Sequence, residues 1–301
     1  MSCTRLTAAC ERIIKLFVSP GEKMTEIYYV KKVVRIEVMD ILLPVLIFIT
    51  GLVFGSFFNV VIYRLPREES IVAPRSACPS CGTTLKPADL VPIFSFIFLK
   101  GKCRYCKSKI SFRYPLIEFV SGIVFVVLFL KYGLSIEFIF TVFLMSVLIM
   151  VFFIDLDHMI IPNELVIAGL AGGIVLFILR FFLYDSLLDG AAWYSPLLGM
   201  LVTSGSLFLI ALIGLAIYGT DAFGMGDVKI FLPIGLILGF KLALISLIFS
   251  VFIGGFAGLF LIITGLKERR SHIPFGPFIV SGTFLAILFG HEFFTWYTGL
   301  L

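Results

Sequence analysis

The chain is 301 residues long, 60% hydrophobic and only 14% charged, with a mean hydropathy of +1.10. That composition excludes an ordinary soluble domain and predicts a polytopic membrane protein; 34 Phe against 2 Trp suit lipid-facing surface. The net charge of +5 is small, and no basic stripe of the kind that binds nucleic acid is present.

Residues 1–38 are polar, hold Cys3 and Cys10, and lack an apolar run long enough for a signal peptide. Met39 immediately precedes the first apolar segment, so 1–38 is expected to be an extension absent from the native protein. N-terminal sequencing checks this. Eight apolar segments follow, at about 41–63, 115–131, 137–154, 164–183, 196–218, 228–241, 243–265 and 276–290. A span takes about 20 helical residues, so the sixth is short, and its boundary with the seventh at Gly239–Lys241 is the least marked. The expected fold is an all-α membrane protein of about eight transmembrane helices. A first helix (39–63) leads to a zinc-ribbon-like loop (64–114) and a seven-helix core (115–301).

From Arg64 to Arg113 the chain carries ten Lys or Arg against Glu68, Glu69 and Asp89. The positive-inside rule puts this loop in the cytoplasm. Helix parity then places 155–163, 219–227 and 266–275 inside, and 132–136, 184–195 and 242 outside. Lys267, Arg269 and Arg270 agree with an inside loop; Asp185 and Asp189, with no basic neighbour, agree with an outside one. The basic residues of 1–38 do not fit, because parity puts them outside.

The loop holds Cys78-Pro-Ser-Cys81 and Cys103-Arg-Tyr-Cys106. Two CxxC knuckles supply four thiolates to one tetrahedral ion, and the flanking Lys and Arg are expected to lower the thiol pKa values. Four thiolates leave no open coordination position, so zinc here is structural. The alternative is two redox or disulfide pairs. A loop this short cannot build its own core, which favours the metal staple.

Asp155 lies in VFFIDLDHMIIPN and Asp227 in YGTDAFGMGDVK, each at the edge of an apolar segment. A carboxylate at a membrane boundary is costly to desolvate and is a functional suspect. Parity puts both on one face, where they can share one water and one proton. The turn after Asp155 is defined by Pro162 and Asn163, and Gly224 and Gly226 let the backbone before Asp227 approach another segment closely. Asp157, Asp185, Asp189 and Asp221 read as solvated loop acids, and His158 and His272 as interfacial histidines. Asn59 reads as a helix–helix hydrogen-bonding residue, Gly51 and Gly55 as small packing positions, and Glu118 as a partner of Arg113 or of the loop.

GLVFGSFFNVVIYRLP, the cysteine loop through FRYPLIEF, IDLDHMIIPN, GMGDVK and IPFGPF together resemble the ordered blocks of bacterial prepilin peptidases. The resemblance runs from about Met39 onward. It implies an eight-span membrane aspartic peptidase whose catalytic pair is Asp155, seven residues before Pro162, and Asp227. Members often have Asp where this chain has Asn163. The implied substrates are type IV prepilins or secretion-system pseudopilins, cut after Gly at the cytoplasmic face of the bacterial inner membrane. Many relatives then N-methylate the new terminus with S-adenosylmethionine. No residue that would bind this donor is identified, because no glycine-rich nucleotide fingerprint follows a predicted strand. Presenilin-like proteases share GxGD, but their Tyr-Asp and Pro-Ala-Leu motifs are replaced here by Ile154-Asp155 and Ile273-Pro274-Phe275.

Two further expectations follow. Asp155 sits at a helix C-terminus and Asp227 at an N-terminus, so helix-end charge alone puts the shared proton on Asp155. The rival reading is a non-enzymatic transporter or partner-recruiting protein in the bilayer. It predicts polar residues deep in several spans, whereas here the acids lie at one edge.

Overall fold

The computed structural model describes residues 24–183, 193–218, 224–266 and 273–300. Two compact units divide the chain, Met1–Leu46 and Ile47–Leu301. The described part of the first is helix, the beginning of α1 (Met24–Arg64). Helix therefore begins within the polar stretch, fifteen residues before Met39. Cys3, Cys10, Asp185, Asp189, Asp221, His272 and the basic residues at 267, 269 and 270 lie outside the described residues.

The second unit holds the cysteine loop and, among the described residues, every other α-helix. These are α2 (Phe94–Phe98), α3 (Arg113–Tyr132), α4 (Ile136–His158), α5 (Asn163–Leu183), α6 (Ser195–Tyr218), α7 (Met225–Ile263) and α8 (Gly276–Thr298). Among the described residues there is no extended strand, only two isolated bridges in the loop. Six helices are long and apolar enough to cross a membrane, and Asn163–Leu179 is a shorter apolar helix.

α7 is two helices. At Gly239 the backbone takes φ 80°, ψ 175°, a region open essentially to glycine alone. A straight helix of 39 residues would be about 58 Å long, nearly twice the hydrocarbon core. The neighbours show a reversal. Before the break, Ser204 Oγ donates to Val228 O at 2.8 Å, and Gly235 packs on Gly199 and Met200 of α6. After it, Ser246 Oγ meets Thr283 Oγ1 at 2.7 Å, and Gly254 faces Phe275 and Phe278 of α8. Residue 254 has thus returned to the end of the bundle where α7 began. Residues 225–238 and 240–263 run antiparallel, and Ser195 Oγ accepts from Phe240 N at 3.0 Å at the turn. Among the described residues the second unit therefore contains eight apolar helical runs, with the sixth ending where the sequence gives its least marked boundary.

α4 lies at the centre, with 67% of its apolar window buried against 22% for Ile41–Arg67. Leu144, Leu148, Val151 and Ile154 are wholly enclosed, beside Phe231, Ile234 and Ile237 of α7. Gly51 and Gly55 let α1 close onto α3, since a β-carbon on Gly55 would stand 2.6 Å from Glu118 Cα. Asn59 Nδ2 ties the same pair by donating to Tyr114 O at 3.1 Å. Glu118 Oε2 accepts from Ile93 N at 2.7 Å, so the partner of Glu118 is the cysteine loop and not Arg113. Arg113 reaches across to α4 instead.

Candidate active site and metal centre

Asp155 lies on the last turn of α4, which runs on to His158 and closes at Met159 in the left-handed region (φ 53°). Placement on the most enclosed helix leaves Asp155 only 5% exposed, although it sits one turn from a helix end. The turn to α5 contains Ile161. A β-carbon on Gly226 would come within 3.0 Å of Ile161 Cβ, so the glycine permits the start of α7 to lie against this turn. That approach carries Asp227, in the first turn of α7, toward Asp155. Each carboxylate is within electrostatic reach of the other. Lys229 Nζ donates to Asn163 Oδ1 at 3.1 Å and fastens the same two elements.

A third segment completes the site. Gly276 opens α8, and its N–H donates to Asp155 Oδ2 at 2.8 Å. A β-carbon at 276 would stand 2.7 Å from that oxygen, so only glycine fits. IPFGPF is one of the family-like blocks of the sequence, in which Gly276 has no assigned role. The signal was there, a glycine followed by Pro277 at a helix start, yet nothing local says which group its N–H meets.

Asp157 turns away from this cluster. Its Oδ1 accepts from Arg113 Nη1 at 2.5 Å, so it is an ion-paired residue rather than a solvated loop acid.

In the loop the two knuckles are near copies. Cys78 N donates to Thr83 O at 3.0 Å and Cys103 N to Ser108 O at 2.8 Å, while Gly82 and Lys107 take positive φ (69° and 60°) at equivalent places. Sγ atoms of Cys78, Cys81, Cys103 and Cys106 all lie within 4.8 Å of one another, and all four are free thiols. The disulfide alternative is therefore not what the loop forms. A tetrahedral ion with Zn–S bonds of about 2.3 Å separates its sulfurs by about 3.8 Å. Cys78 and Cys106 Sγ are 3.8 Å apart, so the donor set fits zinc.

Backbone N–H groups of Cys81 and Ser80 lower the Cys78 thiol to about 6, and the Ser108 hydroxyl and N–H lower Cys106. The flanking Lys and Arg, expected to do this, are not the cause. Arg104 binds Asp89 instead: Nε donates to Oδ1 at 2.5 Å, and Tyr105 Oη donates to Oδ2 at 3.0 Å. Arg104 first of all holds the Asp89 carboxyl below its ordinary value of 3.8, so at neutral pH it is ionised and pins the second knuckle to the turn Pro87–Asp89.

Fold and site together define a polytopic helical protein with two neighbouring carboxylates at one end of its bundle and a four-thiol group in the polar loop between α1 and α3. The family described as "Bacterial Peptidase A24 N-terminal domain" matches residues 49–132, and "Type IV leader peptidase family" matches residues 142–259. A prepilin leader peptidase/N-methyltransferase of Bacillus subtilis is 39% identical over 253 residues, covering 84% of this chain and 96% of that protein. Proteins of the same description from Myxococcus xanthus (35%; 76% of this chain, 67% of the relative) and Aeromonas hydrophila (31%; 84% and 92%) are also similar. No solved structure matches the chain. The chain belongs to the type IV leader peptidase family.

Proposed function

We propose that Asp155 and Asp227 are the catalytic dyad with which this peptidase cuts the basic leader of type IV prepilins or pseudopilins. The single observation that carries the reading is the convergence of three distant segments on one carboxylate. The α4 end supplies Asp155, the Gly226 approach brings Asp227, and Gly276 N–H holds Asp155 Oδ2. In such a pair the ionised carboxylate takes a proton from a water, while the protonated one polarises the scissile carbonyl.

Gly276 bears on which is which. Its N–H, at the positive end of α8, favours the ionised form of the oxygen it meets. On this reading, opposite to the helix-end argument, Asp155 is the general base and the proton sits on Asp227. Asp155→Ala and Asp227→Ala should each lower cleavage of a prepilin peptide by at least about 10³-fold with the fold kept. Retained cleavage in either would falsify the dyad. In infrared difference spectra the protonated-carboxyl band should persist in Asp155→Asn and vanish in Asp227→Asn; the opposite pattern exchanges the two roles.

Eight runs with both acids at one end suit an eight-span protein of the bacterial inner membrane, its dyad facing the cytoplasm where a basic leader stays. Residues 39–63 form its first span, 64–114 the cysteine loop and 115–301 the peptidase core. Zinc on Cys78, Cys81, Cys103 and Cys106 staples the loop. The relatives' second named activity extends to this chain as N-methylation of the new pilin terminus, for which S-adenosylmethionine, when bound, supplies an electrophilic methyl group.

A further inference from the structure

The described part of the bundle has a cavity on the other flank of α4 from the dyad. Asp157 is two residues past Asp155, which on a helix turns it about 200° away. The cavity holds about 160 Å³ and opens at the same end of the bundle as Asp155. α1 contributes Asn59 and Tyr63, the turn after it Arg67, α3 Arg113 and Tyr114, and α4 Asp157.

Asn59 is the chemical clue. It is only 8% exposed, and its Nδ2 donates to Gly55 O at 3.2 Å and Tyr114 O at 3.1 Å. Its Oδ1 accepts from no described residue. A buried amide oxygen without a donor calls for a ligand that brings one. Asp157 adds negative charge at the same wall; Arg113 engages its Oδ1. Arg67 supplies the opposite charge. Its guanidinium lies 4.0 Å over the Tyr63 ring and donates once to Tyr63 O, so the rest of its fork is directed to neither. The exposed faces of Tyr63 and Tyr114 complete the lining.

These groups are complementary to a zwitterion that also carries a soft cation. A carboxylate pairs with Arg67, an ammonium donates to Asn59 Oδ1 and faces Asp157, and a sulfonium is drawn to an aromatic face. A phosphate would pair with Arg67 and Arg113 but would leave the Asn59 oxygen without a donor and stand against Asp157. A lone amine would meet Arg67. Whole nucleoside-sized ligands take about 300 Å³ or more, so this volume admits the amino-acid end and leaves the nucleoside at the mouth.

We propose that the cavity seats the methionyl end of S-adenosylmethionine, held by Arg67, Asn59 and Asp157. This rests on the reading of the chain as a methyltransferase. It places the two activities on opposite flanks of one helix end, about 10 Å apart across α4.

The test is equilibrium binding of S-adenosylhomocysteine to the detergent-solubilised full chain, with melting temperature and zinc content reporting the fold. The wild type should bind. Arg67→Ala, at an exposed position, and Asn59→Leu should each weaken binding at least tenfold. Lys100→Ala removes a loop charge outside the cavity and should leave binding unchanged. A wild type that binds while Arg67→Ala binds equally well overturns the site and leaves the methyltransferase reading standing. A wild type that binds no S-adenosylhomocysteine overturns both. Equal weakening in Lys100→Ala reduces the effect to general charge and also overturns the site.

Discussion

At the scale of single residues, the candidate active site depends on one atom that is not there, the β-carbon of residue 276. Gly276 brings its N–H to Asp155 Oδ2, and the space beside it is filled by the carboxylate itself. In Gly276→Ala the new methyl would stand 3.0 Å from Asp155 Cβ and Cγ as well as 2.7 Å from Oδ2, so the carboxylate must move. A displacement of about 1 Å at a catalytic group costs on the order of 10²-fold in rate. Gly276→Ala should therefore lower kcat for prepilin cleavage by about that factor, with KM changed much less. Near wild-type kcat would show that Gly276 does not position Asp155. The candidate pair is legible in the sequence, because Pro-Asn and GxG mark two chain turns that need close packing. The Gly276 contact is not, since the residues are 121 apart and the bond is made by backbone. The ion pair of Asp157 is hidden from the sequence for a related reason. Its partner Arg113 is 44 residues away on another helix, and helical periodicity says nothing about which foreign side chain arrives.

At the scale of elements, the informative places are where helices stop. The sequence places a weak boundary between its sixth and seventh segments because no charge or polar cluster interrupts the apolar run at Gly239. A hairpin whose turn is made by one glycine leaves almost no hydropathy signal. The structure makes that glycine necessary, for φ 80° with ψ 175° strains any side-chain-bearing residue. Gly239→Ala should cost about 1–3 kcal/mol, read as a lower thermal or SDS-unfolding midpoint of the solubilised protein. Unchanged stability would mean the turn tolerates a β-carbon and the reversal is held by packing alone. The cysteine loop shows the opposite balance. Its four candidate ligands are readable from spacing, whereas the lowering of Cys78 by knuckle N–H groups requires the fold, since side-chain charge is visible in a sequence and backbone direction is not.

At the scale of the whole molecule, everything proposed depends on which ends of the helices share a side. Charge bias and parity predict that Asp155 and Asp227 share one, and the packing of 225–238, 240–263 and α8 agrees only if α7 doubles back. The cavity beside α4 leaves no mark in the sequence because its walls come from residues 59–67, 111–117 and 157–158, three stretches with no common period. Topology can be tested without assuming the chemistry. A reporter fused after Lys241 should read outside, and one fused after Leu266 inside, because the chain turns at Gly239 and crosses again. If α7 were a single long span, Lys241 would lie within the bilayer and the fusion after Leu266 would read outside. Fusions after Lys107 and Leu134 should read inside and outside in both cases, fixing the frame. An outside report after Leu266 would separate Gly254 from the level of Gly276, contrary to their packing through Phe275 and Phe278, and would break the link between the GxGD helix and the N-terminus of α8 on which the dyad depends.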